Sequence, residues 1–466
     1  MNKEKLFGLE TGFISTNFIQ ILKNFIFLKY GLYEYTPLKL TSVPLSILPE
    51  VGMITSDGKG TNVGKGLISG TVRMGYGHHR MAYAIYTWSV AKKINTYLHD
   101  ILAFNCNESV AIKDIDGLYS QMSRASSEMG GMIEWLWGQI TSGGGIGSLQ
   151  FSVELSERYV NLLNDIPRTN PYISSYPLNG QIAVASGFEK VVHLIPDNYP
   201  QHYLLVPGAM NLVQSPASYI KFIEMGVPKE NLHVAGHWVS HKIAANAIEH
   251  SNYRNERAAK KFRKRILLAI GGAGAQRNYT LELLEKLKEK LLAKKIFLWI
   301  NTGDHKKISE DIKLKLTQLE IPFDDISGRE ALLKFTSQRE LSNLNEIEGN
   351  SVSVFHFENY FEAFTATDEL ICVSDILMTK PSELAFFPIP KIFIRRVGDH
   401  EAASAFRSME LGEGTMECRE PHHALEMIKL FSDAEGIFVR MNECIIRNSR
   451  EGIYDGARVA VEMANS

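Results

Sequence analysis

After a first stretch of mixed character, ending in the turn-rich TSDGKGTNVGKG (55–66), short β-branched runs alternate with longer segments whose apolar residues recur every three to four positions. A buried parallel strand reads as a near-continuous apolar run, and a surface helix shows one apolar stripe, so the alternation predicts α/β layers with parallel strands. Strands are predicted at 66–74, 182–186, 191–195 and 231–236, then at 265–270, 295–300, 351–357, 369–375 and 391–396. Helices are predicted over 81–98, 152–165, 278–292, 328–345, 401–410 and 435–449. Between the two series lies the basic stretch HSNYRNERAAKKFRKR (250–265), which reads as a solvated helix end and linker. The glycine-rich TSGGGIGS (141–148) reads as a mobile connection within the first half. The predicted layout is a leader (1–62), a first domain (63–256), a second domain (257–440) and C-terminal helices (441–466).

Composition narrows the function classes. The 466 residues are 45% apolar and 22% charged, the profile of a folded globular chain long enough for two or three domains. Fifty Lys and Arg against fifty-two Asp and Glu leave a net charge of −2, so no nucleic-acid partner is expected. Cys106, Cys372, Cys418 and Cys444 are far apart, giving neither a zinc pattern nor a disulfide framework; a reducing, cytoplasmic setting is the expectation, with no metal. The segment Phe13 to Tyr33 is amphipathic but interrupted by Lys23 and Lys29, so it is expected to lie against the first domain or a membrane surface. Peripheral membrane contact stays open.

Three segments carry candidate chemistry. Met74-Gly75-Tyr76-Gly77-His78-His79-Arg80 stands between a strand and a helix, where glycines permit a tight turn and the helix start offers N–H groups to an anion. An imidazole in such a crevice can act as a general base. Ala269-Ile270-Gly271-Gly272-Ala273-Gly274-Ala275-Gln276 also follows a strand and opens a helix. It matches neither a Walker loop nor a dinucleotide fingerprint, which leaves a phosphate-facing turn or a tight packing turn. In Thr379-Lys380-Pro381-Ser382-Glu383, Glu383 opens a helix at a sheet edge, where a carboxylate can accept hydrogen bonds from vicinal sugar hydroxyls or simply favour the helix dipole.

The order of these segments resembles the GT-B glycosyltransferases, in particular the branch holding the lipid II N-acetylglucosaminyltransferase and the monogalactosyldiacylglycerol synthases. His193–His202, Gly226–His237 and the run VFHFENYFEAFTATDELICVSD (354–375) are similar to further family segments, and the resemblance covers residues 66 to about 415 in patches. It implies two Rossmann-like, doubly wound parallel-sheet domains facing across a cleft, with the last helix returning to the first domain. It implies that His78 assists deprotonation of an acceptor, with Asp197 to orient it. Gly75, Gly77, His79 and His202 then belong to the acceptor side. Gly271, Gly272, Gly274 and Gln276 fall beside the donor diphosphate, and His356 and Phe357 by the nucleobase. Glu383 falls on the ribose with Thr379 and Ser382 near it, and Glu401 by the donor sugar. Departures from the family are the short turn Thr379-Lys380-Pro381-Ser382, the bulky His79-Arg80 pair and the leader.

The implied function is inverting, metal-independent transfer of a sugar from a nucleotide donor, UDP above all, to a lipid, saccharide or small-molecule acceptor, with no cofactor. Two alternatives share the architecture: a nucleotide-sugar 2-epimerase, and a GT-B-shaped binding protein without catalysis.

Overall fold

The structure, a computed structural model, describes residues 5–10, 13–34, 36–114, 146–271, 276–396, 401–433 and 435–466. The glycine-rich connection at 141–148 falls for the most part outside them. Two sheets dominate. The first has nine strands in the order Leu232–Val234, Met210–Val213, Val191–Leu194, Tyr172–Ser174, Leu67–Thr71, Thr96–Asp100, Leu48–Thr55, Thr41–Leu45 and Thr61–Asn62. Its strands are parallel as far as Leu48–Thr55, and the last two run antiparallel. From Leu67–Thr71 the chain winds one way and from Tyr172–Ser174 the other, so these neighbours form the switch point outside whose carboxyl ends an open α/β sheet binds ligands.

The second sheet has six parallel strands, in the order Phe323–Ser327, Val352–His356, Ile296–Asn301, Lys264–Ala269, Ile376–Thr379 and Lys391–Phe393. Val352–His356 is inserted between its two predecessors, and the switch point lies between Lys264–Ala269 and Ile376–Thr379. This is the expected GT-B architecture. One apolar core joins the halves: Met81, Ile85 and Trp88 of the first domain pack in the same cluster as Phe361, Phe364 and Phe387 of the second and Tyr454 and Val461 of the C-terminal segment.

Several predicted elements move. Residues 182–186 belong to the helix Pro177–Ala185, which begins on a proline preset for the first helical turn; the run IAVA is too short for its period to decide. Residues 369–375 are not a strand. The Asn359 side chain accepts from the N–H groups of Phe361 and Glu362, starting the helix Tyr360–Ile371, and the strand follows at Ile376–Thr379. The leader contributes Thr41–Leu45, Leu48–Thr55 and Thr61–Asn62 to the first sheet, so position 62 is no boundary of that layer. Its helix Phe13–Tyr30 buries Ile19 and Ile26, pairs Lys23 with Glu154 at 3.0 Å, and turns Ile21, Phe25 and Leu28 outward. No described helix is long and apolar enough to cross a membrane.

The basic stretch at 250–265 is not a solvated linker. It is the end of the helix Ala247–Ala259 and the start of the strand Lys264–Ala269. Arg254 is fully buried and donates to the carbonyls of Ser374 (2.9 Å), Pro388 (3.3 Å) and Ile371 (3.2 Å). Arg257 pairs with Asp375 at 3.1 Å, and the other oxygen of Asp375 accepts from the Arg265 amide. The helix Glu435–Arg450 packs along Ala247–Ala259, and Gly456–Asn465 lies on the first domain, where Glu462 meets Lys92 at 2.8 Å.

Replacing Arg254 by Met should therefore strip three buried carbonyls of their donor. Each unsatisfied group costs about 1–3 kcal/mol, so a loss of at least about 3 kcal/mol is expected in urea unfolding. Arg395→Ala, which breaks an exposed pair with Glu420, should cost no more than about 1 kcal/mol. A loss below 1 kcal/mol for Arg254→Met would mean that the carbonyls find other partners.

Candidate functional site

The first side of the site is the turn beyond Leu67–Thr71. Gly75 takes φ +71°, a conformation open to glycine, and brings the chain into the helix Gly77–Ala91. His78, one residue into that helix, reaches across the switch point: its Nδ1 lies 2.6 Å from the carbonyl of Ser175, just past Tyr172–Ser174. Ser175 is fixed in turn, its hydroxyl donating to the Gly70 carbonyl and to Thr71 Oγ1, both at 3.1 Å. A carbonyl only accepts, so Nδ1 carries the proton and Nε2 keeps its lone pair. Burial pushes His78 down to about 4 against the pull of the Ser175 carbonyl, so the ring is neutral at pH 7.

His79 points the other way and is fully buried. Its Nε2 lies 3.2 Å from Asp100 Oδ2, and its ring is enclosed by Tyr360, Phe361 and Phe364 of the second domain at centroid distances of 5.1–5.9 Å. Burial pushes Asp100 up, but the His79 hydrogen bond and the Leu102 amide outweigh it and hold the carboxyl below its usual range. Arg80 is buried between the domains. Its Nη2 donates to Thr367 Oγ1 at 2.9 Å, Nε lies 3.3 Å from Glu383, and Nη1 lies 3.7 Å from Asp368. Asp368 is nevertheless raised to about 6 by burial, against Arg80 and the Ser240 hydroxyl. The turn is clasped from outside as well: Tyr76 donates to the Asp304 carboxylate and accepts from the Asp304 amide, and the Tyr360 hydroxyl donates to the Gly75 carbonyl at 2.6 Å.

The second side lies past Ile376–Thr379. Glu383 opens the short turn Glu383–Phe386 and reaches the start of the His78 helix, where a Cβ on Gly77 would stand 3.7 Å from Glu383 Oε2. Burial pushes its carboxyl up, but Arg80 and Lys380 outweigh that and keep it ionised. Between the sides is a cavity of about 10 Å³, room for one water, lined among others by Arg80, Gln214, Trp238, Glu383 and Phe387. Gln214 Oε1 and the Nε and Nη1 of Arg80 are buried without a well-formed hydrogen bond. Among the described residues, no group of three or more His, Cys, Asp or Glu is arranged to hold a metal.

The structure thus brings Gly75, Gly77, His78 and Glu383 together at facing switch points. Ser382 stands beside them, its side chain bonded to Glu383. Other expected residues are placed differently. The ring of His78 is held by the Ser175 carbonyl; the orienting role expected of Asp197 is not tested by this contact. His202 is engaged with the Met225 carbonyl at 3.3 Å, and His79 is spent on Asp100. The Phe357 amide donates to the Gly303 carbonyl at 2.9 Å, so it is not free for a base. His356 ends its strand with a buried, unpartnered Nδ1. Thr379 Oγ1 lies 3.4 Å from the Ala269 carbonyl, and Glu401 pairs with Lys380. Gly271 is at the sheet edge and Gln276 precedes the helix Arg277–Leu292, whereas Gly272 and Gly274 lie outside the described residues. Arg80 and Lys380 stood out in the sequence only as departures from the resembled family and were given no role there, and Gln214 and Asp304 were not singled out.

Residues 227–465 match the family described as domain of unknown function DUF6938, and residues 30–224 match the one described as DUF6937. The first match spans more than half of the chain, which therefore belongs to the DUF6938 family. No curated protein matches the sequence. Among solved structures, the chain is similar to the Staphylococcus aureus MnaA–UDP complex (10% identity, TM-score 0.48, covering 85% of this chain and 94% of that one). It is also similar to a UDP-GlcNAc 2-epimerase from Neisseria meningitidis bound to UDP-GlcNAc (13% identity, TM-score 0.45, covering 85% and 98%).

Two outcomes follow from these electrostatics. Burial lowers His78 and His99 to about 4 and His193 to about 3. The unfolded chain takes up these protons first, so their stabilisation is complete above about pH 6.5 and is lost as pH falls towards 4, by about 1.4 kcal/mol per pH unit for each proton. Asp368, raised to about 6, acts in the opposite sense and offsets one of the three. Urea midpoints should fall steeply between pH 6.5 and 4; a flat profile would contradict neutral, buried rings. Arg80→Met, which removes the guanidinium shared by Asp368 and Glu383, should cost about 3–5 kcal/mol at pH 8. The deficit should shrink at pH 5, where a protonated Asp368 needs no counter-charge.

Proposed function

We propose that the chain is a nucleotide-sugar enzyme whose substrate bridges the two switch points, with base and ribose on the second domain and the sugar beside His78. The observation that carries this reading is the juxtaposition of His78 and Glu383 at facing sheet edges. One is a neutral imidazole with a free lone pair on Nε2, the other a carboxylate held ionised by Arg80 and Lys380. A carboxylate of that kind accepts two hydrogen bonds from a ribose diol. A neutral His held by its other nitrogen takes a proton from the group in front of it. The approach of an anionic diphosphate raises the affinity of that nitrogen for a proton, which improves a base whose resting basicity is low.

The reaction we favour is rearrangement of the bound sugar itself, epimerisation next to the anomeric carbon, which needs a base at His78 and one substrate only. Transfer to an acceptor is the second reading, supported by the order of the sequence segments. UDP-GlcNAc is a suitable first probe. Incubated alone with the full chain in D₂O, it should yield the C2 epimer carrying deuterium at C2, followed by NMR. Product that forms only when an acceptor is added would favour transfer, and absence of UDP binding would sink both readings. His78→Ala should lower turnover by about 10²- to 10⁴-fold with UDP affinity nearly unchanged, because the nucleotide rests mainly on the second domain. A variant with normal turnover would remove His78 from the chemistry.

A further inference from the structure

We propose that Lys380 is the cation that receives the diphosphate of the substrate, and that Glu401 holds it in readiness until the ligand arrives; the proposal rests on the nucleotide-sugar reading above. Lys380 directly follows Ile376–Thr379, at the switch point of the second sheet. Its stem crosses the start of the glycine loop so closely that a Cβ on Gly271 would stand 2.9 Å from Lys380 Cε. A side chain at 271 would push the end of the lysine aside. Its ammonium pairs with Glu401, the first residue of the helix Glu401–Glu410, and the two side chains are 15% and 5% exposed. The same ammonium helps to keep Glu383 ionised, which puts it within electrostatic reach of the expected ribose carboxylate. On the facing helix start, the Gln276 side chain has a buried Nε2 without a hydrogen-bond partner, a second donor at this edge.

The backbone of the turn is poorly equipped to bind phosphate without the lysine. Pro381 has no N–H, and the Ser382 amide already donates to the Lys380 carbonyl at 2.8 Å. A side-chain cation takes over what free amides supply in a glycine turn. Exchange of the Glu401 carboxylate for a phosphate oxygen keeps the ammonium paired throughout, and the released Glu401 carboxylate is the cost that limits the gain.

Calorimetric titration of the full chain with inorganic pyrophosphate, UDP and uridine tests this. Lys380→Met should weaken pyrophosphate and UDP tenfold or more and leave uridine unchanged, while Lys380→Arg retains affinity for all three within about threefold. Glu401→Gln frees the ammonium and should tighten pyrophosphate severalfold; it also serves if Lys380→Met does not fold. Wild-type affinity for UDP and pyrophosphate in folded Lys380→Met would overturn the proposal and leave the nucleotide-sugar reading standing. Unchanged or weaker pyrophosphate binding in folded Glu401→Gln would overturn the holding role. Failure of the wild-type chain to bind any of the three probes would overturn this proposal and that reading together.

Discussion

A guanidinium removed from water needs polar and charged partners in the protein, and those that Arg80 meets lie on the opposite domain. Thr367, Asp368 and Glu383 come from two elements of the second sheet's layer, the helix Tyr360–Ile371 and the turn at 383, while Arg80 sits in the first turn of the first domain's helix Gly77–Ala91. No arrangement of one domain alone satisfies it. The relative placement of the two sheets therefore follows from this ionic contact together with the apolar core on which it rests. Its neighbours carry the same logic, since Tyr76 reaches Asp304 and His79 inserts between three aromatic rings of the second domain. Because the turn at 75–80 is held at so many points, His78 in its middle has one orientation, set by the Ser175 carbonyl.

That rigidity separates two adjacent histidines that the sequence cannot tell apart. Both follow the glycine turn, yet successive helical side chains point about 100° apart. One faces the cleft edge with a lone pair available, and the other is consumed by Asp100 in the core. The separation is physical and not a matter of motif. Desolvation keeps the His78 ring neutral against the pull of the Ser175 carbonyl and Glu383, whereas His79 has its Nε2 against Asp100 and its ring closed in by aromatic side chains.

Much of the architecture was legible because fully buried parallel strands such as RILLAI and IFLWI leave no other reading, and two such series imply two sheets. The strand at 369–375 and the helix at 177–185 were misread where short apolar runs fit both periods and the deciding feature was a cap, Asn359 or Pro177. The basic stretch at 250–265 was misread because a charge run is ordinarily solvated. Here Arg254 and Arg257 meet three carbonyls and Asp375, which come from more than 110 residues further along the chain. The site was half legible for the same reason. His78 and Glu383 stand at strand ends and can be inferred from local pattern. Arg80 and Lys380 gain meaning through partners that no local pattern reveals.

Every charged group that a nucleotide sugar would use at this edge is already paired: Glu383 with Arg80, Lys380 with Glu401. Binding is then an exchange of partners, in which contacts made with the ligand replace contacts given up, and net affinity is far smaller than a sum of new hydrogen bonds.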